Sequence, residues 1–324
     1  MNHSTFKSFT FGIGLFFTLP LVYGNSSSLS SSDGTLYINK SKTHKVAPVK
    51  YGFHYEEIGM MGEGALHAEL IRNRSFEEAT PPAGLSVKDG LYENVPAPRV
   101  KEKKVFQADP LIGWTTYPLS YTPVFISRTD ENPMSGENKY SMLVNVTEDI
   151  ANHPDALILN RGYYGMNLKT DTSYRLSLFL KNRNYSAPLR VFLVDEWGQR
   201  VSNVIEVNVG NREWTKYTGE LKPEKNVRRG MFAIQPMSKG QFQIDVVSLF
   251  PSDTWNDGKS VFRKDIVQNL KEFSPSFIRF PGGCIVHGVN EETMYHWKKT
   301  LGPIENRPGQ WSKWAPYYRT DGIG

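Results

Sequence analysis

Apolar and polar residues alternate with a period of two through the middle of the chain. In Tyr174-Arg175-Leu176-Ser177-Leu178-Phe179-Leu180 the alternation puts Tyr174, Leu176, Leu178 and Leu180 on one face, which predicts a half-buried strand. Similar runs cover residues 139–146, 189–194, 204–209, 214–221, 230–236 and 241–249. Turn signals such as Glu196-Trp197-Gly198 and Val209-Gly210-Asn211 separate them. Seven or more such strands with no helical period among them predict a β-sandwich of the jelly-roll kind between about Phe76 and Pro251.

The pattern differs on either side. Upstream, Thr35 to Asn39 and Lys50 to Glu57 read as strands, the second ending in the carboxylate pair Glu56-Glu57. Leu66, Leu70 and Ile71 predict a short helix over Ala65 to Asn73, bounded by Gly59, Gly62 and Gly64. Downstream, Phe262, Ile266, Leu270 and Phe273 recur at spacings of four, four and three, one face of a helix that Pro275 stops. The run Ser276-Phe277-Ile278-Arg279-Phe280 then reads as a strand buried on both sides apart from Arg279, and it enters the loop Pro281-Gly282-Gly283-Cys284. Helix, buried strand and glycine-rich loop in that order are α/β-barrel grammar. From Trp297 to Gly324 turn chemistry and aromatic residues predominate, and no closing strand or helix is predicted.

Composition changes this picture little. With 39% hydrophobic residues, 7 Trp, 16 Tyr and 18 Phe in 324 residues, the chain has ample core material for two domains, and intrinsic disorder is excluded. The net charge of +5 is scattered apart from short runs such as Lys101 to Lys104, unlike the clustered footprint of a nucleic-acid binder. A single cysteine, Cys284, excludes an intrachain disulfide and a cysteine zinc cluster, so the core alone must hold the fold. Lys7, the apolar stretch Phe9 to Val22 and the small Gly24 before Asn25 read as a signal peptide. That predicts a secreted or periplasmic protein with no membrane association after cleavage. The serine run 26–32 is a flexible spacer. Glycosylation sequons stand at Asn25, Asn39, Asn73, Asn145 and Asn184.

Three blocks resemble the family 51 glycoside hydrolases, the α-L-arabinofuranosidases. They are Tyr51-Gly52-Phe53-His54-Tyr55-Glu56-Glu57-Ile58 with residues 62–77, Phe277-Ile278-Arg279-Phe280-Pro281-Gly282-Gly283-Cys284, and residues 297–309 closed by Thr320-Asp321-Gly322. The β-rich middle resembles the type 4/9 carbohydrate-binding modules through Asn73-Arg74-Ser75-Phe76-Glu77, Gly113-Trp114, Glu213-Trp214-Thr215-Lys216-Tyr217 and Asp245-Val246-Val247-Ser248-Leu249. The resemblance implies a multidomain chain in which a jelly-roll β-sandwich is inserted into the start of an incomplete (β/α)8 TIM barrel. The expected boundaries are a signal peptide at 1–24, a serine-rich linker and leading strand at 25–50, the first barrel strand and loop at 51–75, the sandwich at 76–251, and the resumed barrel at 252–324.

It also implies a retaining hydrolase that releases terminal α-L-arabinofuranosyl groups from plant-wall polysaccharides. Retention needs two carboxyls roughly 5 to 5.5 Å apart. The family's acid/base and nucleophile glutamates are expected beyond Gly324, so no catalytic residue is assigned here and this chain alone is expected to be inactive. Glu56 matches the glutamate that hydrogen-bonds the sugar, with a solvated strand rim as its bland alternative. Arg279 matches the arginine beside the nucleophile, with a structural salt bridge as the alternative. Gly282 and Gly283 allow a tight turn and close approach to a ligand. Cys284 is expected to line the same pocket, or else to be a small buried hydrophobe. Glu57 is expected in a structural ion pair, pointing away from Glu56.

Trp114, Trp197 and Trp214 are read first as core residues and second as sugar platforms. His287 and His296 have no further ligands at metal spacing. No cofactor or metal is expected in the site, although the resemblance leaves room for a structural calcium in the jelly roll. The expected partner is an arabinose-containing poly- or oligosaccharide. The rival reading is a secreted, non-catalytic carbohydrate-binding protein. Oligomeric state is not legible.

Overall fold

The computed structural model describes residues 39, 41, 45, 51–58, 60–80, 86–88, 91–93, 109–288, 291, 294–311 and 319–320. The chain divides into two units, 1–48 and 49–324, and every described strand and helix lies in the second. The predicted signal peptide and spacer, and the predicted strand 35–39 apart from Asn39, lie outside the described residues.

A short strand, β1 (Phe53–His54), opens this unit, and a hairpin of β2 (Ser86–Lys88) and β3 (Leu91–Glu93) follows. Eleven strands then build the sandwich. They are β4 (Trp114–Tyr117), β5 (Val124–Thr129), β6 (Ser141–Val146), β7 (Leu157–Asn160), β8 (Met166–Leu168) and β9 (Tyr174–Asn182), then β10 (Pro188–Val194), β11 (Ile205–Asn208), β12 (Thr215–Leu221), β13 (Val227–Gln235) and β14 (Gly240–Pro251). One sheet has the order β11-β10-β13-β7-β4 with β8 also on β13. The other has the order β12-β9-β14-β6-β5, and every pairing in both is antiparallel.

The inward faces meet in one core. Phe232, Phe242, Leu178, Leu180, Leu189, Met142 and Ile158 are fully buried there. Burying each such side chain contributes about 1.5–3 kcal/mol, which lets the sandwich dispense with disulfides. The predicted face of β9 is the one observed, with Tyr174, Leu176, Leu178 and Leu180 all buried. Trp114 belongs to this core, its indole Nε1 donating to the Asn73 carbonyl at 3.1 Å, and is no sugar platform.

The helix predicted over Ala65 to Asn73 does not form. A single wide turn at Gly62–Leu66 holds Gly64 at φ 77° and Glu63 at an extended ψ, and His67 leaves it extended. Thereafter the backbone bonds to other elements: Ala68 N–H donates to Val261 O at 2.8 Å, Leu70 N–H to Leu249 O at 3.1 Å, and Val247 N–H to Arg74 O at 2.9 Å. Those tertiary bonds replace the helical ladder that the apolar spacing suggested.

Buried polar groups hold this extended strap, residues 67–80, in place. The Glu69 carboxylate accepts from Ile71 N–H at 3.0 Å, Leu249 N–H at 2.8 Å and Ser248 Oγ at 2.5 Å, and lies 3.6 Å from Arg74 Nη1. Glu77 accepts from the backbone N–H groups of Lys139 and Tyr140 at 2.6 and 2.9 Å. Asn73 and Glu77, read from sequence as part of a sugar-module signature, thus anchor the strap. Asn73 is buried and its Nδ2 donates to Pro110 O at 3.1 Å, which closes that sequon to a glycan in the folded protein. The carboxylates Glu69 and Glu77 are occupied by N–H donors. Among the described residues no three His, Cys, Asp or Glu side chains gather as a metal site.

After the sandwich, α1 (Lys264–Glu272) follows the predicted period. Next come β15 (Ile278–Arg279) and α2 (Gly283–His287). β15 pairs with β1 in parallel, Phe53 opposite Ile278 and His54 opposite Arg279. Residues on either side of the sandwich therefore form neighbouring strands. β15 is not buried as expected: Phe277 is 51% and Ile278 60% exposed. A parallel sheet hides such residues only under layers on both faces, and the described residues supply a sheet two strands wide. The last segment does contain strands, contrary to expectation: β16 (Gln310–Trp311) and β17 (Arg319–Thr320) pair antiparallel.

Candidate functional site around Glu56 and Arg279

Two strands fix this site. Parallel pairing, extended by Phe53 N–H to Phe277 O at 3.0 Å and Tyr55 N–H to Arg279 O at 2.8 Å, brings the residues after β1 beside the loop after β15. In that loop Gly282 has φ 111°, a conformation open to glycine and strained for other residues. Glu56 lies directly over it: a Cβ at Gly282 would overlap Glu56 Cγ and Cδ and sit 2.6 Å from Oε1. Gly283 faces the other partner, its Cβ direction ending 3.3 Å from Arg279 Nη2. Four of the five candidates, Glu56, Arg279, Gly282 and Gly283, are therefore brought together. Cys284 stands one residue further on, half-buried in α2 with a free thiol.

Sequence reading missed His54. It shares a strand face with Glu56 two residues on, so the alternation that separated Glu56 from Glu57 also pointed to it. Its Nε2 lies 3.3 Å from Arg279 Nη1 and 3.7 Å from Glu56 Oε2. A guanidinium only donates, so in its contact with Arg279 the imidazole nitrogen is the acceptor. The site thus presents a carboxylate whose side chain is 13% exposed beside a guanidinium oriented by an imidazole. An acceptor and a multiple donor at one sheet edge suit a polyhydroxylated ligand, because charge-assisted hydrogen bonds are the stronger kind. Arg279 is exposed, and its neighbour is an imidazole, contrary to the expected buried guanidinium.

Glu57 points into the backbone turn that follows β1. Its carboxylate accepts from Gly62 N–H. Burial pushes its carboxyl up to about 7, while the N–H groups of Gly62 and Glu63 partly offset the shift. Burial, with Glu57 and Glu63 nearby, holds the Tyr55 phenol well above its ordinary value, so it remains a donor. The Tyr55 ring lies 5.8 Å from Phe280, whose other neighbour is Tyr295 at 5.8 Å edge-on. Of the remaining tryptophans, Trp214 donates through Nε1 to Asn132 O at 3.0 Å, while Trp197 is 73% exposed on the loop after β10.

Residues 269–324 match the family model described as the alpha-L-arabinofuranosidase 1 domain. Alpha-L-arabinofuranosidase 1 of Arabidopsis thaliana is 28% identical over 279 residues, covering 85% of this chain and 37% of the relative. The extracellular exo-alpha-L-arabinofuranosidase of Streptomyces chartreusis is 26% identical over 287 residues, covering 85% of this chain and 30% of the relative. Among solved structures, the arabinose-bound MgGH51 α-L-arabinofuranosidase superposes with a TM-score of 0.69 at 25% identity, covering 88% of this chain and 42% of that one. The chain therefore spans well under half the length of these relatives.

Proposed function

Starting from the relation of this chain, by sequence and by fold, to the family 51 α-L-arabinofuranosidases, we propose that it forms the sugar-holding part of a retaining glycoside hydrolase. The hydrolase releases terminal α-L-arabinofuranosyl groups from plant-wall polysaccharides. The observation that carries this reading is the parallel pairing of β1 with β15, which sets Glu56 over Gly282 with Arg279 alongside through His54.

In this reading the Glu56 carboxylate accepts from sugar hydroxyls. Arg279, held by His54, donates to hydroxyl or ring oxygens and favours negative charge on a nearby group. The glycine pair admits the sugar ring close to backbone. Gly282 and Gly283 act by the space they leave, and Cys284 borders the site from α2. Neither Glu56 nor Glu57 is assigned the acid/base or nucleophile role: Glu56 is packed over Gly282, and Glu57 is turned into a backbone turn. The signal-like N-terminus and the extracellular relative support secretion.

Two measurements test the reading. The 324-residue protein is expected to release no arabinose from an aryl α-L-arabinofuranoside, and turnover that Glu56→Gln abolishes would overturn it. L-Arabinose is expected to shift the NMR resonances of residues flanking Glu56 and Arg279, and the shifts are expected to be lost in Glu56→Gln.

A further inference from the structure

A second cleft, of about 580 Å³, lies where the sandwich meets α1 and shares no residue with the Glu56 site. One wall is the turn between β7 and β8, in which Gly162 (φ 61°) and Gly165 (φ 87°) hold Tyr163 and Tyr164. Tyr163 packs on Gly64, where a Cβ would come within 2.5 Å of the ring, so the loop after β1 and the turn are mutually fitted. Tyr164 is 80% exposed at the rim, an aromatic face held out of any core. Asn167 stands exposed on β8, and Gln268 lines the cleft from α1, its Nε2 donating to Glu272 Oε1 at 3.0 Å.

The floor carries polar groups that the fold leaves unused. Thr254 is buried under the cleft, and its Oγ1, closed to solvent, has no hydrogen-bond partner among the described residues. His67 also lines the cleft, packed edge-on against Phe250 at 5.2 Å. Burial, with Arg74 and Arg307 nearby, lowers its pKa to about 3, so it faces the cleft as a neutral imidazole. Charges around the cleft balance: Lys169, Arg263 and Lys264 stand against Glu69, Asp253 and Asp265, and Arg263 is tied to Asp265 at 3.1 Å. A ligand of strong single-sign charge finds no matching field here.

We propose that this cleft binds a segment of neutral oligosaccharide, one ring stacked on Tyr164 and its hydroxyls bonded by Asn167 and Gln268. An exposed aromatic platform, amide side chains and a lining of balanced charge together are what a sugar ring, apolar on its faces and polar at its edge, requires. Only the choice of probes rests on the plant-wall reading of the Glu56 site.

The test is calorimetric titration of the full 324-residue chain with the tetrasaccharides of β-1,4-xylan and α-1,5-arabinan, and with tetragalacturonate as the charged control. Saturable binding of a neutral tetrasaccharide is expected, weakened about three- to tenfold by Tyr164→Ala and by Asn167→Ala, the loss of one platform or one hydrogen bond. Both residues are exposed, so both variants are expected to keep the wild-type circular dichroism. Absence of saturable binding overturns the proposal, as does preference for tetragalacturonate, or binding lost in Glu56→Gln and retained in the two cleft variants. A failure of the Glu56 reading shows separately, as loss of the arabinose-dependent shifts alone.

Discussion

The site's geometry rests on single residues. Gly282 is held at φ 111° beneath the Glu56 side chain, so Gly282→Ala is expected to cost about 1–3 kcal/mol from backbone strain and to displace Glu56. Gly283→Ala meets only the movable end of Arg279 at 3.3 Å, and is expected to change stability far less. Thermal unfolding of the pair checks this: equal losses would mean that Glu56 is not packed on Gly282.

Glu57 supplies a pH signature at the same scale. Its folded pKa, about 7, lies above its ordinary 4.5, so the folded state holds the proton more tightly than the unfolded state between those values. The stability from protonated Glu57 is complete below about pH 4.5 and lost as pH rises through about 7. Glu57→Gln removes the titration, so its stability relative to wild type is expected to rise by up to about 3 kcal/mol from pH 4.5 to pH 8. Denaturant melts at the two values decide it, and a pH-independent difference would contradict the burial of that carboxyl. His67 acts with the opposite sign. Its folded pKa, about 3, lies below 6.5, so its contribution is present above pH 6.5 and lost as pH falls toward 3.

Elements differ in how firmly they are held. β9 and β14 lie inside the five-stranded sheet over a fully buried core, whereas β1 and β15 are two residues each and largely exposed. Hydrogen exchange is therefore expected to be slowest at the amides of Leu178, Leu180 and Ile244 and orders of magnitude faster at Phe53 and Tyr55, because opening the small sheet exposes little apolar surface. Equal protection in both would mean that the strand pair is locked by contacts the described residues do not contain. The same contrast explains which elements were legible. β9 alternates cleanly because one face is wet. β7, Leu157-Ile158-Leu159-Asn160, is buried on both faces, with Leu157 and Leu159 in a second cluster beside Phe192 and Met231, so it has no alternation to read. The segment 65–73 carries a helical spacing but spends its N–H groups on Val261 and Leu249.

At the scale of the whole molecule, a sandwich is interposed between two strands that pair with each other. Leu70 N–H to Leu249 O and Arg263 N–H to Leu66 O at 2.9 Å bring the chain's entry to and exit from the sandwich together, so the interruption leaves the β1–β15 register intact. Both polar sites depend on that closure: Glu56 and Arg279 meet across it, and Tyr163 meets Gly64 beside it.

Local pattern was enough for the sandwich strands with a wet face, for α1 and for the glycine requirement near residue 282, because period and turn chemistry are properties of neighbouring residues; Glu56 and Arg279 were singled out through the resemblance. The strap over residues 67–80, the turn that captures Glu57, the part taken by His54 and the cleft beside α1 came from the folded arrangement. Each of these is set by contacts between segments far apart in the chain, and local spacing carries no record of such contacts.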